Sequence, residues 1–254
     1  MISLCINLFV FILGLIIGSF LNCVIYRLEA DKSFLVGRSF CPQCNHTLSS
    51  WDLIPVLSFL FLKEKCRYCQ KPISIQYPLV ELATGLLFLL IFNSTFYDLP
   101  LTIYYLLITC FLILIFIYDL KHYIIPDQII YSAILISFLY LLAANYLITN
   151  AILSALGASG FFLLIYLVSR GQWLGFGDVK LAFLMGLFLG FPYILVALFL
   201  SFFIGAIVGL LLIAKGKKTL KSEVPFGPFL VIGTIIAFLY GQKLINWYLN
   251  LFFP

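Results

Sequence analysis

Apolar runs of roughly twenty residues recur along nearly the whole chain, and no other feature limits its fold so sharply. A helix needs about 20 apolar residues to cross a bilayer. Eight runs are read as spans, at 2–26, 78–96, 101–119, 126–146, 150–169, 178–191, 193–214 and 226–249, of which 178–191 is short. Hydrophobic residues make up 64% of the 254 and charged residues 10%, with a mean hydropathy of +1.16. A soluble domain carries about 25% charged residues. The fold class is therefore all-α, a polytopic membrane protein of about eight transmembrane helices packed around one another in lipid. The first run lacks a basic start and a small-residue cleavage pattern, and Arg27 follows its apolar stretch, so it is read as a retained helix and not a signal peptide.

Basic residues set the expected orientation, because cytoplasmic loops collect Lys and Arg. Arg27, Lys32, Arg38, Lys63, Lys65, Arg67 and Lys71 lie around the first loop, and Lys121, Arg170, Lys180, Lys215, Lys217, Lys218 and Lys221 fall on the same side if eight spans alternate. Lys243 is left toward the other face. This predicts an outside N-terminus with the first loop on the cytoplasmic side. The formal charge of +5 then reflects topology and contact with the lipid bilayer, and nucleic acid is not expected as a partner.

Residues 28–77 form the only sizeable polar segment and contain Cys41-Pro42-Gln43-Cys44 and Cys66-Arg67-Tyr68-Cys69. Each pair can turn two thiolates toward one ion, and two such knuckles complete a tetrahedral zinc site. A reducing cytoplasm disfavours disulfides. The alternatives are reduced structural cysteines or redox pairs. A closed four-thiolate site has no vacant position, so its zinc would be structural, shaping a loop too small for its own core. His46 is read as a surface residue beside a complete ligand set, and Cys5, Cys23 and Cys110 as packing residues in apolar spans. The apolar piece 51–62 is too short to cross and is interrupted by Pro55; contact with the membrane surface, Trp51 at the headgroups, is favoured over packing on the knuckle.

Two acids interrupt the oil. Asp119 ends the apolar run 102–118 and opens Asp119-Leu120-Lys121-His122-Tyr123-Ile124-Ile125-Pro126-Asp127, and Asp178 closes the turn Gly175-Phe176-Gly177-Asp178. A charge at the bilayer centre costs roughly 2.5–3.5 kcal/mol on insertion scales, so such carboxylates are functional candidates. If the two meet, they cannot easily both ionise: one keeps a proton while the other deprotonates a water, which is aspartic-protease chemistry and requires no metal. Against this stand plain structural roles, namely snorkelling, helix capping, or pairing with Lys121 and Lys180. For Asp127, first-turn dipole compensation leads, with a supporting site role second.

Together these segments resemble the bacterial type IV prepilin leader peptidases, polytopic aspartic proteases of the G-x-G-D type. The resemblance rests on Gly18-Ser19-Phe20-Leu21-Asn22-Cys23-Val24-Ile25-Tyr26-Arg27, both cysteine pairs, Gln76-Tyr77-Pro78-Leu79-Val80-Glu81-Leu82, the block from Asp119 to Asp127, Gly175-Phe176-Gly177-Asp178-Val179-Lys180-Leu181, and Pro225-Phe226-Gly227-Pro228. It implies Asp119 and Asp178 as the catalytic pair, and Gly175, Gly177, Lys180, Asp127, Pro225 and Gly227 as substrate-binding or cleft-shaping residues. It implies type IV prepilins and pseudopilins as substrates, cut after a glycine at the cytoplasmic face, and N-methylation of the new amine with S-adenosylmethionine. The organisation that follows is a first transmembrane helix at 1–27, a zinc-knuckle loop at 28–77 and a membrane aspartic protease core at 78–254. No glycine-rich soluble methyltransferase fold is visible, so a cofactor site would have to use the membrane face. Asn22 and Glu81 are candidate contributors there, with interhelical hydrogen bonding an equal reading. For Pro225-Phe226-Gly227-Pro228, shaping the cleft and simply leading a loop into a helix weigh evenly. A proton-coupled transporter using the same acids and a zinc-stabilised noncatalytic assembly protein are the rival functions.

Overall fold

The computed structural model describes residues 2–30, 37–96, 98–144, 148–216 and 224–252; Lys32, Lys217, Lys218 and Lys221 lie outside them. The described residues contain no β-strand, only two isolated bridges. The helices are α1 (Ile2–Glu29), α2 (Leu57–Phe61), α3 (Gln76–Thr95), α4 (Leu99–His122), α5 (Asp127–Ala144), α6 (Ile148–Ser169), α7 (Phe176–Leu189), α8 (Tyr193–Ala214) and α9 (Gly227–Phe252). Seven of them, all but α2 and α7, are long and apolar enough to cross a membrane. Large hydrophobic residues such as Phe9, Leu153, Leu164, Phe199 and Leu210 face outward, as a surface bathed in lipid requires and a monomeric soluble protein rarely tolerates.

The short run behaves differently from its neighbours. With 14 residues, α7 is about 21 Å long at 1.5 Å per residue, against a hydrocarbon core of about 30 Å. Its length is offset by its surroundings: Asp178, Val179, Leu181, Ala182 and the stretch 184–188 are all buried, with α5, α6, α8 and α9 packed against it. A helix wrapped in protein has no need to match the bilayer.

The chain divides into two compact units, 1–113 and 114–254. In the first, α1 packs along α3 because glycines remove the side chains that would hold them apart: a Cβ on Gly14 would stand 2.7 Å from the Gly85 Cα, and one on Gly18 would stand 2.7 Å from the Glu81 Cα. In the second, α6 closes on α7 through Gly186, where a Cβ would lie 2.3 Å from the Ala155 Cα. At the far end of that pair, Asn150 clamps the chain leaving α7, its Oδ1 accepting the Phe191 N–H at 2.8 Å and its Nδ2 donating to the Phe191 carbonyl at 3.1 Å. This clamp has no motif to announce it in the sequence. Small residues at such crossings let backbones approach, the main source of helix association in lipid.

Gly186→Val is expected to force α6 and α7 apart and lower the thermal midpoint of the detergent-solubilised chain, by an overpacking cost of about 1–3 kcal/mol. Gly157→Val should leave it unchanged, since a Cβ there meets nothing within 4 Å. Equal midpoints for the two variants would contradict this packing.

Candidate functional site

Five chain ends meet at one end of unit 114–254: the C-terminal turns of α4 and α6 and the N-terminal turns of α5, α7 and α9. Asp119 sits in the last turn of α4, which runs on to His122. The following segment turns through Tyr123, at φ 58°, whose N–H donates to the Asp119 carbonyl at 2.9 Å. Pro126 then ends the turn, and its carbonyl accepts the N–H groups of Ile129 and Ile130, each at 3.1 Å, so α5 begins at Asp127.

The Gly175-Phe176-Gly177-Asp178 turn starts α7. Gly175 is the extended residue before the helix, and its N–H donates to Asp178 Oδ2 at 3.2 Å, closing the first turn on its own acid. Gly177 sits tightly against a neighbour: a Cβ there would lie 3.1 Å from the Ile125 Cβ. The missing side chain lets the Asp119-to-Asp127 block and the second acidic turn pack directly together.

Asp119 and Asp178 are both buried, 5% and 8% exposed, and close enough that the charge on Asp119 acts on Asp178. Oδ2 of Asp119 has no hydrogen-bond partner among the described protein atoms. Gly227 covers this carboxylate with bare backbone: its N–H interacts with Asp119, and a Cβ on it would stand 2.5 Å from Oδ2. Phe226 holds the approach to Gly227 by lodging among Phe202, Phe162 and Phe229, with ring centroids at 5.1, 6.2 and 6.2 Å. Pro225 is half-buried just ahead of it. Sequence reading singled out Pro225 and Gly227 and gave Ile125 and the anchoring Phe226 no role beyond the motifs that contain them; an aromatic in a chain that is 18% aromatic carries little signal of its own.

Asp127 and Lys180 stand apart from the buried pair. They bond to each other, Lys180 Nζ to Asp127 Oδ1 at 2.5 Å, tying α5 to α7, and the ammonium also lies over the rings of Tyr131 and Phe176 at 4.9 and 5.1 Å. With the Asp127 side chain 64% exposed, this is a rim contact worth about 0–1 kcal/mol.

In unit 1–113 the two cysteine pairs are built alike. In the first knuckle the Cys41 N–H donates to the His46 carbonyl at 2.9 Å and the Asn45 N–H to the Cys41 carbonyl at 2.9 Å; in the second, Cys66 to Lys71 and Gln70 to Cys66 repeat this at 2.9 and 3.0 Å. Asn45 and Gln70 occupy the same left-handed position, φ 56° and 59°, which curls each chain back over its thiols. The rings of His46 and Tyr68 meet between the knuckles at 3.7 Å, tilted by 34°, and His46 lies beside the four-thiol set and not in it. Sγ atoms of Cys41, Cys44, Cys66 and Cys69 all fall within 4.8 Å of one another, and Cys41 and Cys69 are 3.9 Å apart. Zinc–sulfur bonds of about 2.3 Å put tetrahedral sulfurs about 3.8 Å apart, so the four residues fit a closed zinc knuckle. Burial opposes ionisation of Cys41, but the N–H groups of Gln43 and Cys44 and the thiols of Cys66 and Cys44 outweigh it and bring the group down to about 7. Cys69 has one favourable donor, the Lys71 N–H; burial and the three other thiols override it and push the group up to about 11.

The piece 51–62 packs on the knuckle through Asp52 and leaves large apolar side chains exposed. A 3₁₀ turn (Ser50–Leu53) and α2 lead out of the knuckle, with Trp51, Leu57, Leu60 and Phe61 exposed. Asp52 turns inward, accepting from Ser49 Oγ at 2.8 Å and Tyr68 Oη at 3.2 Å and pairing with Arg67 Nε at 2.8 Å. Burial works against this carboxylate, yet the Ser49 donors, Tyr68 and Arg67 hold it below the usual range. Sequence reading missed a second inward contact, from Val56 to Glu81. Val56 is at φ 62°, an uncommon conformation for a β-branched residue, and its N–H donates to Glu81 Oε2 at 2.7 Å. Asn22, 2% exposed, donates to the Tyr77 carbonyl at 3.1 Å and so bridges α1 to α3.

Comparison with known proteins agrees with both units. Residues 12–95 match the family model described as bacterial peptidase A24 N-terminal domain, and residues 106–210 match the type IV leader peptidase family. The chain is 35% identical to a prepilin leader peptidase/N-methyltransferase of Aeromonas salmonicida, over 95% of this chain and 93% of that one. It is 36% identical to the protein of that name from Bacillus subtilis, over 95% and 97% of the two chains, and 30% identical to the one from Pseudomonas aeruginosa, over 94% and 92%. No solved structure matches.

Cys41→Ser and Cys66→Ser are each expected to lower the metal bound per purified chain, read by elemental analysis. Unchanged stoichiometric metal in both would contradict the knuckle.

Proposed function

The chain belongs to the type IV leader peptidase family, and we propose that Asp119 and Asp178 are the carboxylates with which it cuts its substrate. It is a multi-pass inner-membrane enzyme that removes the leader of type IV prepilins and methylates the N-terminus so exposed. Pseudopilins are included among the proposed substrates. One observation carries the residue assignment: two acids from different helices are both buried at the same end of the unit, near enough for the charge of Asp119 to bear on Asp178, where no described Lys or Arg forms a salt bridge with either.

Two carboxylates sharing a site hold one proton between them. The ionised one takes a proton from water, and the oxygen attacks the carbonyl carbon at the leader junction. The protonated one supports the developing oxyanion and then delivers its proton to the leaving amine as the C–N bond breaks. Gly227 supports this by bringing backbone against Asp119 where a side chain would clash with the carboxylate. Gly175 and Gly177 set Asp178 in the first turn of α7, while the Asp127–Lys180 pair holds α5 to α7 at the rim, a positioning role. Pro225 and Phe226 fix the path into α9.

The ion proposed for the four thiolates is zinc, in a structural role, and S-adenosylmethionine is the methyl donor implied by the methyltransferase activity. The proposed orientation puts the acids and the cysteine loop toward the cytoplasm and the N-terminus outside. In unit 114–254 this is supported by Lys121, Arg170, Lys180 and Lys215, which all belong to helix ends on the side of the acids, with Lys243 in the second half of α9.

Asp119→Asn and Asp178→Asn are each expected to reduce leader cleavage by about a hundredfold or more, the scale of general acid–base catalysis, while membrane insertion persists. Gly227→Ala is expected to impair cleavage comparably, by driving a methyl group against Asp119. Cleavage of a prepilin in purified membranes reads all three; near-normal processing by either asparagine variant would overturn the assignment.

A further inference from the structure

Unit 1–113 contains a second polar site that the protease chemistry does not use. A cavity of about 300 Å³ opens between the cysteine knuckle and the helices α1 and α3, at the lower end of the range for small-molecule sites. Tyr26, Phe40, Phe59 and Tyr77 are among its walls, with Arg27, Arg67 and Lys71 as basic residues and Asp52 and Glu81 as acids; Arg67 is paired with Asp52, and Arg27 donates to the Gly37 carbonyl at 2.7 Å. Glu81 is 6% exposed. Its carboxylate accepts the Val56 N–H at 2.7 Å and a hydrogen bond from Ser19, and no Lys or Arg forms a salt bridge with it among the described residues. A buried carboxylate with neutral donors and no positive partner is expensive to keep, and a cation entering the cavity would offset that cost.

The wall chemistry matches a nucleoside that carries an amino acid and a positive charge. Aromatic faces suit a purine, the basic side chains of the wall suit a carboxylate, and Glu81 suits a cationic centre. Resting on the methyltransferase reading above, we propose that this cavity binds S-adenosylmethionine and that Glu81 supplies the negative charge selecting the charged donor over its neutral product. When bound, the donor supplies a methyl group on a positively charged sulfur. The chain's own residues hold it and exclude water. Val56, pinned by Glu81, and Phe40, packed edge-on to Tyr26 at 5.6 Å, tie the knuckle to the cavity, which gives the metal-bound loop a purpose: it is a wall of the donor site.

The test is equilibrium binding of S-adenosylmethionine and S-adenosylhomocysteine to the purified full chain in nanodiscs, with metal content and leader cleavage as controls. Glu81→Gln is expected to weaken S-adenosylmethionine roughly tenfold or more and S-adenosylhomocysteine less than about twofold, with both controls unchanged. Unchanged binding of S-adenosylmethionine, or equal weakening of both ligands, would overturn the role of Glu81. Should Glu81→Gln lose the controls as well, Ser58→Phe decides: a ring added to the cavity wall is expected to weaken both ligands with cleavage intact, and unaltered binding would place the donor elsewhere. A wild-type chain that binds neither ligand would sink the methyltransferase reading beneath it, a result distinct from failure of the variants.

Discussion

Two carboxylates held within reach of each other's charge inside an oily bundle set the terms for the second unit. Taking a charge out of water costs several kcal/mol even after relaxation, and Asp119 and Asp178 have no described Lys or Arg in a salt bridge with them to repay it. The apolar packing of the surrounding helices must offset that cost, and α7 shows where the packing is densest. This helix is too short to span alone, is buried along most of its length, and carries Asp178 in its first turn. A carboxylate on a lipid-facing helix could snorkel to the surface. On α7 the surrounding helices leave it facing protein.

Glycine controls the close approaches. Gly177 lets Ile125 close on the start of α7, Gly227 lets backbone cover Asp119, and Gly186 lets α6 seat against α7. The acids gain their shared environment from the absence of side chains around them as much as from any bond. The same device, in Gly14, Gly18 and Gly85, builds the α1–α3 pair on which the knuckle and its cavity rest.

Much of this was legible in the sequence because a bilayer makes helices easy to recognise. The run read at 193–214 is α8, that at 150–169 extends by two residues to become α6, and the short 178–191 run folds as a helix that lacks the length of a span. Spacing alone told the cysteine knuckles. What spacing could not show was which residues meet across the bundle. Asp119 and Asp178 are 59 positions apart; Ile125, which joins their segments, and Phe226, which anchors the approach to Gly227, are ordinary apolar side chains. The Val56–Glu81 bond was equally hidden, since a backbone N–H has no sequence signature. Asp127 and Lys180 were named as site residues, and the structure pairs them with each other at the rim.

The central chemical statement is that the acids activate a water and never bond to the substrate themselves. Repeated turnover of a prepilin in heavy-oxygen water, followed by mass spectrometry of the leader and of enzyme peptides containing Asp119 and Asp178, tests it most directly. The expected result is label in the new carboxylate of the leader and none in either aspartate. Label accumulating in Asp119 or Asp178 would reveal a covalent acyl intermediate and contradict the account.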